Sequence, residues 1–237
     1  MRFSKQSAAA TAWHEFPHLA FDIEGTLLNS NIAHVWAWQD AIQGEQLEFP
    51  FITLFLQQGL AGRHIADKFS FAFRNRETAL RIARRAQEIY AEKYIEFVTP
   101  YDGVFKLLES LQTRGRKLYA LTSSTHLESD AEAMLARVGF DGFFDAVLTA
   151  EESDADIPGP EPFSTLRELI GSRQSLIALG DSPYDFKAAT AAGVPFVFLG
   201  HGGFPREWFT HAHSGFFNCL ELLHTLPRLN ARSRKSA

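Results

Sequence analysis

The stretch Leu19-Ala20-Phe21-Asp22-Ile23-Glu24-Gly25-Thr26-Leu27 decides how the rest of the chain is read. Its first half, residues 19–23, is a short apolar run of the kind that forms a strand buried on both faces. Its second half is a turn, because Gly25 permits a backbone reversal that a side chain would resist. At the junction stand Asp22 and Glu24, a spacing that in extended backbone aims both carboxylates to one side. Four more runs of the same kind follow at residues 118–122, 146–149, 176–179 and 196–199. Helical patterns lie between them, at residues 127–138 and 185–192. Strand alternating with helix predicts an α/β fold with a Rossmann-like parallel sheet.

About 95 residues separate the first run from the second, far more than a simple crossover needs. The inserted residues 31–99 read as helical. Ile32, Val35, Trp36, Gln39 and Ile42 recur at helical spacing, as do Ala79, Ile82, Ala83, Ala86, Ile89 and Tyr90. Arg81, Arg84, Arg85, Glu88 and Glu92 fill the opposite face of the second pattern. The expected organisation is a core domain of residues 1–30 and 100–237, interrupted by an α-helical cap domain of residues 31–99. Trp36 and Trp38 are expected to pack inside that insertion.

Composition narrows the function classes. The 237 residues are 46% hydrophobic and 22% charged, which excludes a disordered or fibrous chain. With 23 Lys+Arg against 28 Asp+Glu the net charge is −5, the wrong sign for wrapping nucleic acid. No stretch of 18 apolar residues exists, so no membrane span is expected. Cys219 is the only cysteine, which excludes an internal disulfide and a cysteine-rich zinc site and predicts a reducing, cytoplasmic compartment. Residues 1–16 lack the apolar core of a secretory signal and read as a poorly ordered lead-in. Residues 228–237, with four cations, read as a solvated tail. Nothing in the composition sets an oligomeric state.

Ligands of open parallel sheets bind beyond the carboxyl ends of the strands. Three of those ends carry reactive groups: Asp22 and Glu24; the hydroxyls of Thr122, Ser123 and Ser124; and the acidic segment Gly180-Asp181-Ser182-Pro183-Tyr184-Asp185. Four carboxylates at one mouth repel by about 4 kcal/mol per close pair at an effective dielectric of 20, so they call for a cation. Surroundings made only of oxygen favour magnesium, which also lets a carboxylate approach a phosphate dianion.

In this order the segments resemble the haloacid dehalogenase-like hydrolase superfamily, from residue 19 to about residue 223. The helical insertion after the first motif and the closing stretch GDSPYDFKAATAAGVPFVFLGHGG, residues 180–203, look most like its phosphoglycolate phosphatase group. The resemblance implies a magnesium-dependent phosphatase that hydrolyses a small phosphorylated metabolite through an aspartyl-phosphate on Asp22. It implies that Asp22, the Glu24 backbone carbonyl and Asp181 hold the Mg2+, with Asp185 on a metal-bound water. It further implies Glu24 as general acid and base, and Thr122, Ser123 and the backbone N–H groups of Gly25 and Thr26 on the phosphoryl oxygens. Arg63, in the segment Gly59-Leu60-Ala61-Gly62-Arg63-His64, matches a loop that reaches down to the substrate.

Two positions depart from the family pattern. Glu24 stands where Asp is usual, although some enolase-phosphatases are similar in carrying Asp-Ile-Glu-Gly-Thr. Ile157, in Ile157-Pro158-Gly159-Pro160-Glu161, stands where Lys is usual, and losing one such preorganised cation costs on the order of 3–4 kcal/mol of transition-state stabilisation. Lys187 and Arg63 are the candidate replacements. The alternative reading is therefore a catalytically impaired relative that keeps the metal and phosphate pocket. A third, 2-haloacid dehalogenase chemistry, needs no metal and leaves Glu24, Asp181 and Asp185 without employment. His64, His211 and His213 read as surface residues, and His201 receives no role.

Overall fold

Leu19 and Phe21 point into one apolar cluster and Ala20 into another, so the run around Asp22 is buried on both sides. The structure is a computed structural model and describes residues 12–57, 62–122, 128–149, 159–171, 175–209 and 212–227. Its strands are β1 (His18–Asp22), β2 (Lys117–Thr122), β3 (Ala146–Thr149), β4 (Leu176–Gly180), β5 (Phe196–Leu199) and β6 (Ser214–Phe216). They form one parallel sheet in the order β3-β2-β1-β4-β5-β6. Alternate residues of every central strand divide between the two clusters: Leu118, Ala120, Ile177 and Leu179 face one, Tyr119, Leu121, Leu176 and Ala178 the other. This two-sided burial is why the strands appear as unbroken apolar runs.

The chain reverses its direction of travel across the sheet at β1, which lies between β2 and β4. Asp22 pairs with Leu121, and Phe21 with both Ala120 and Leu179, so the three strands end nearly flush. A crevice at such a switch point is where an open α/β sheet places its ligand.

Between β1 and β2 run helices α1 (Asn31–Gly44), α2 (Phe51–Phe55), α3 (Gly62–Lys68) and α4 (Arg76–Ile89), followed by a π-helical stretch at Tyr90–Tyr94. They enclose an apolar cluster of their own that includes Val35, Trp38, Ile42, Leu54, Phe73 and Ile82. The Asn75 side chain starts α4 by accepting from the Thr78 N–H at 2.9 Å. Trp38 packs inside as expected, whereas Trp36 is 46% exposed with its ring tilted against Tyr94. The outgoing and returning chains run side by side: the Asn29 N–H donates to the Thr99 carbonyl at 2.8 Å, and Leu28 bridges Pro100. Helices α5 (Val104–Thr113), α6 (Glu128–Arg137), α7 (Glu161–Ile170), α8 (Pro183–Ala191) and α9 (Cys219–His224) complete the layers around the sheet.

Two features differ from the sequence reading. β6 has three residues, Ser-Gly-Phe, too few to register a period of two. Residues 12–16 are structured rather than loose. Trp13 is 4% exposed, its ring meets Phe216 edge-on, and its indole N–H donates to Thr225 Oγ1 at 3.0 Å. Trp13→Ala is expected to destabilise the fold by about 3–5 kcal/mol, read as a lowered denaturation midpoint; a change under about 1 kcal/mol would return this segment to the role of a lead-in. The basic tail lies outside the described residues.

Candidate active site

Strand β1 ends on Asp22, and the next residues fold into a tight turn. The Gly25 N–H donates to the Leu28 carbonyl at 2.8 Å, and the Leu27 and Leu28 N–H groups donate to Ile23. Gly25 has φ +87°, and a Cβ placed on it would lie 2.5 Å from Asp181 Oδ2. Glycine is thus required twice here, for the left-handed backbone and for the close approach of an acidic side chain. Its N–H is spent within the turn, which differs from the phosphoryl contact expected of it.

The end of β4 delivers Asp181, 1% exposed. Thr26 Oγ1 donates to its Oδ1 at 3.0 Å and Asn31 Nδ2 to its Oδ2 at 3.3 Å. Asp185 follows in the first turn of α8, where it forms a reciprocal cap with Ser182: the Ser182 N–H and hydroxyl donate to Asp185 Oδ2 at 3.0 and 2.7 Å. One ligand oxygen each from Asp22, Asp181 and Asp185 lies within 4.8 Å of the others, and among the described residues this is the one such group of acidic, histidine or cysteine side chains. Asp22 Oδ2 is buried with no hydrogen-bond partner. An orphaned carboxylate oxygen facing two further carboxylates, with oxygen donors alone, fits a hard divalent cation.

Burial pushes the Asp22 carboxyl well above the usual range, and Asp185, Asp181 and Glu24 add to the rise. Asp181 is raised by burial and then by Asp185, and Asp185 by burial to about 6. A raised carboxyl binds more protons folded than unfolded, so without metal the cost of Asp181 grows as pH climbs through the acidic range above 3.8. In chelator, Asp181→Asn is therefore expected to melt above the unsubstituted chain by a margin that widens across that window. Saturating magnesium should remove the margin. A margin that is absent, or narrows as pH rises, contradicts the crowding of these acids.

Glu24 turns away from the acidic trio. Its Oε2 accepts from Thr122 Oγ1 at 2.8 Å, and its Oε1 lies 3.0 Å from His34 Nε2 on α1. The His34 ring stacks on Tyr90 at 3.9 Å. Thr122, expected on a phosphoryl oxygen, here donates to Glu24. Sequence reasoning missed Asn31 and His34. They stand one turn apart on α1, so one helix face meets Asp181 and Glu24 together, but a polar residue at a helix start carries no mark of that.

Among the described residues, the carboxylates of Asp185, Asp181 and Glu24 are the charges that raise Asp22. A cavity of about 40 Å³ at this point is lined by Asp22, Thr122, Tyr184 and Asp185 on one side and by apolar residues such as Leu121 and Phe163 on the other, with no lysine or arginine among its described lining residues. Lys187 is exposed, its Nζ 5.8 Å above the Tyr184 ring, and Arg63 is half-buried at the start of α3. Ser123, Ile157 and His211 lie outside the described residues. His213 packs edge-on against Phe16, and His201 stacks on Tyr101 and accepts the Cys219 N–H at 3.1 Å. The helical insertion reaches the acidic loop through Tyr184, whose hydroxyl donates to Gln57 Oε1 at 3.3 Å.

Comparison with known proteins agrees with this geometry. A sequence model of the family described as haloacid dehalogenase-like hydrolase matches residues 19–199. The phosphoglycolate phosphatase of Caulobacter vibrioides is 29% identical over 189 residues, which cover 78% of this chain and 79% of that protein. The fructose-1-phosphate phosphatase YqaB of Escherichia coli is 24% identical over 187 residues, 78% of this chain and 97% of that one. The crystal structure of a hydrolase from Pseudomonas syringae matches with a TM-score of 0.76 at 22% identity, covering 88% of this chain and 97% of its own, and shares the fold.

Proposed function

Because the chain belongs to the haloacid dehalogenase-like hydrolase family, we propose that it is a magnesium-dependent phosphatase for a small phosphorylated metabolite, with Asp22 as nucleophile. The observation that carries this reading is the meeting of Asp22, Asp181 and Asp185, drawn from opposite ends of the chain, around one point. Those three side chains, with the Glu24 carbonyl, are the proposed Mg2+ holders. When bound, the ion supplies neutralisation of the carboxylates and of the incoming phosphoryl charge.

In the proposed reaction an Asp22 oxygen attacks phosphorus while the bond to the leaving-group oxygen breaks. Glu24 donates a proton to that oxygen and then takes one from the water that attacks the aspartyl-phosphate, releasing inorganic phosphate and restoring Asp22. Thr122, with Ser123 and the Thr26 N–H, is assigned to the phosphoryl oxygens, and Arg63 to the substrate's leaving group. Residues 31–99 serve in this reading as a cap over the core of residues 1–30 and 100–237, excluding water when closed. The decisive assay is hydrolysis of a panel of phosphomonoesters with magnesium and with chelator. Metal-dependent turnover supports the reading.

A second reading, an impaired relative that binds metal and phosphate without efficient turnover, is favoured by one observation. Among the described residues, no lysine or arginine lines the cavity at Asp22. Intact magnesium binding with no turnover across the panel would establish it.

A further inference from the structure

Glu24 is one methylene longer than the residue usual at its position, and the structure shows where the added reach goes. Its carboxylate spans the mouth of the sheet from Thr122 on β2 to His34 on α1, at 2.8 and 3.0 Å. The Glu24 side chain is 11% exposed in this arrangement, and the His34 ring is braced against Tyr90, itself buried. A carboxylate oxygen that accepts from a buried threonine hydroxyl near the unpartnered Asp22 Oδ2 is, in charge and hydrogen bonding, what a phosphoryl oxygen is to the same groups. Glu24 also adds to the negative field on Asp22.

We propose that Glu24 is a selectivity residue: its carboxylate stands in for a phosphoryl oxygen on Thr122, so that an incoming anion must displace it. This rests on the phosphatase reading above. Inorganic phosphate, which brings phosphoryl contacts alone, competes with a tethered anion at high local concentration. A phosphomonoester brings a leaving group as well, and its contacts with the insertion offset the displacement. The consequence is weak retention of the product phosphate relative to the substrate. Shortening the side chain to aspartate keeps the charge and withdraws the reach to Thr122 and His34 together; truncation to alanine removes both.

The test is the affinity of inorganic phosphate, measured calorimetrically in saturating magnesium for the unsubstituted chain, Glu24→Asp and Glu24→Ala, and as competitive inhibition wherever turnover remains. Both variants are expected to bind phosphate about 10-fold more tightly, the worth of freeing one charge-assisted hydrogen bond. Phosphate affinity that is unchanged or weaker in Glu24→Asp overturns the inference, since that variant keeps the charge and withdraws only the reach to Thr122 and His34, whereas a gain in Glu24→Ala alone reports relief of repulsion and equally overturns it. If the unsubstituted chain turns over phosphomonoesters while the affinities do not move, the inference alone fails. If no form binds phosphate in magnesium, the phosphatase reading fails with it.

Discussion

Asp22→Asn is expected to lower magnesium-dependent hydrolysis of an aryl phosphate by about 10⁴-fold or more, because an amide oxygen replaces the attacking carboxylate and no second nucleophile stands in its place. The fold should survive the change. Asp22 Oδ2 has no hydrogen-bond partner, and its burial beside Asp181 and Asp185 already favours the uncharged form. An uncharged isostere removes repulsion and keeps an oxygen for the Thr26 hydrogen bond, so the variant should melt no lower than the parent in chelator and should respond less to magnesium. Loss of turnover together with retained or raised thermal stability is the expected signature, read by phosphate release and a thermal scan. Turnover within about ten-fold of the parent would remove Asp22 from the role of nucleophile.

Ile157→Lys is expected to move activity in the opposite direction. The segment from Ile157 to Glu161 aligns with one that normally supplies a lysine, and restoring a preorganised cation at such a site is worth roughly 100- to 1000-fold in rate. The described surroundings agree with a deficit. Among the described residues, no lysine or arginine lines the cavity at Asp22, and Lys187 rests over Tyr184 in solvent. A gain of that size in kcat, with magnesium affinity held within about three-fold, would show that the unsubstituted chain lacks a cation at this position. No gain in a folded Ile157→Lys variant would mean that the charge is supplied from elsewhere in the chain.

The five runs that the sequence displays became five of the six strands, at nearly the expected limits. They were legible because the central ones are buried on both faces and even the edge strand β3 is mostly apolar, which leaves few polar residues to blur the runs. The sixth strand was not, since Ser214–Phe216 borrows its pairing from β5 and has little pattern of its own. Trp13 misled for the opposite reason: its neighbours are small and polar, and nothing nearby in the chain announces that its partners are Phe216 and Thr225. At the mouth, Asp22, Asp181 and Asp185 were legible from strand ends alone. Asn31 and His34 were not, because their relevance depends on how α1 leaves the turn after Gly25.

What the amino-acid order determined by itself is the parallel sheet, the helical character of residues 31–94, and the identity of the acids at the carboxyl ends of the strands. These follow from local periodicity and from a rule about where strands end, and neither needs a distance. Tertiary structure alone decided which way Glu24 points. The turn that Gly25 permits brings α1 back over the sheet, and a carboxylate long enough to span from Thr122 to His34 settles between them. That choice is made by groups far apart in the chain competing for the same two oxygens, a contest that no window of sequence contains.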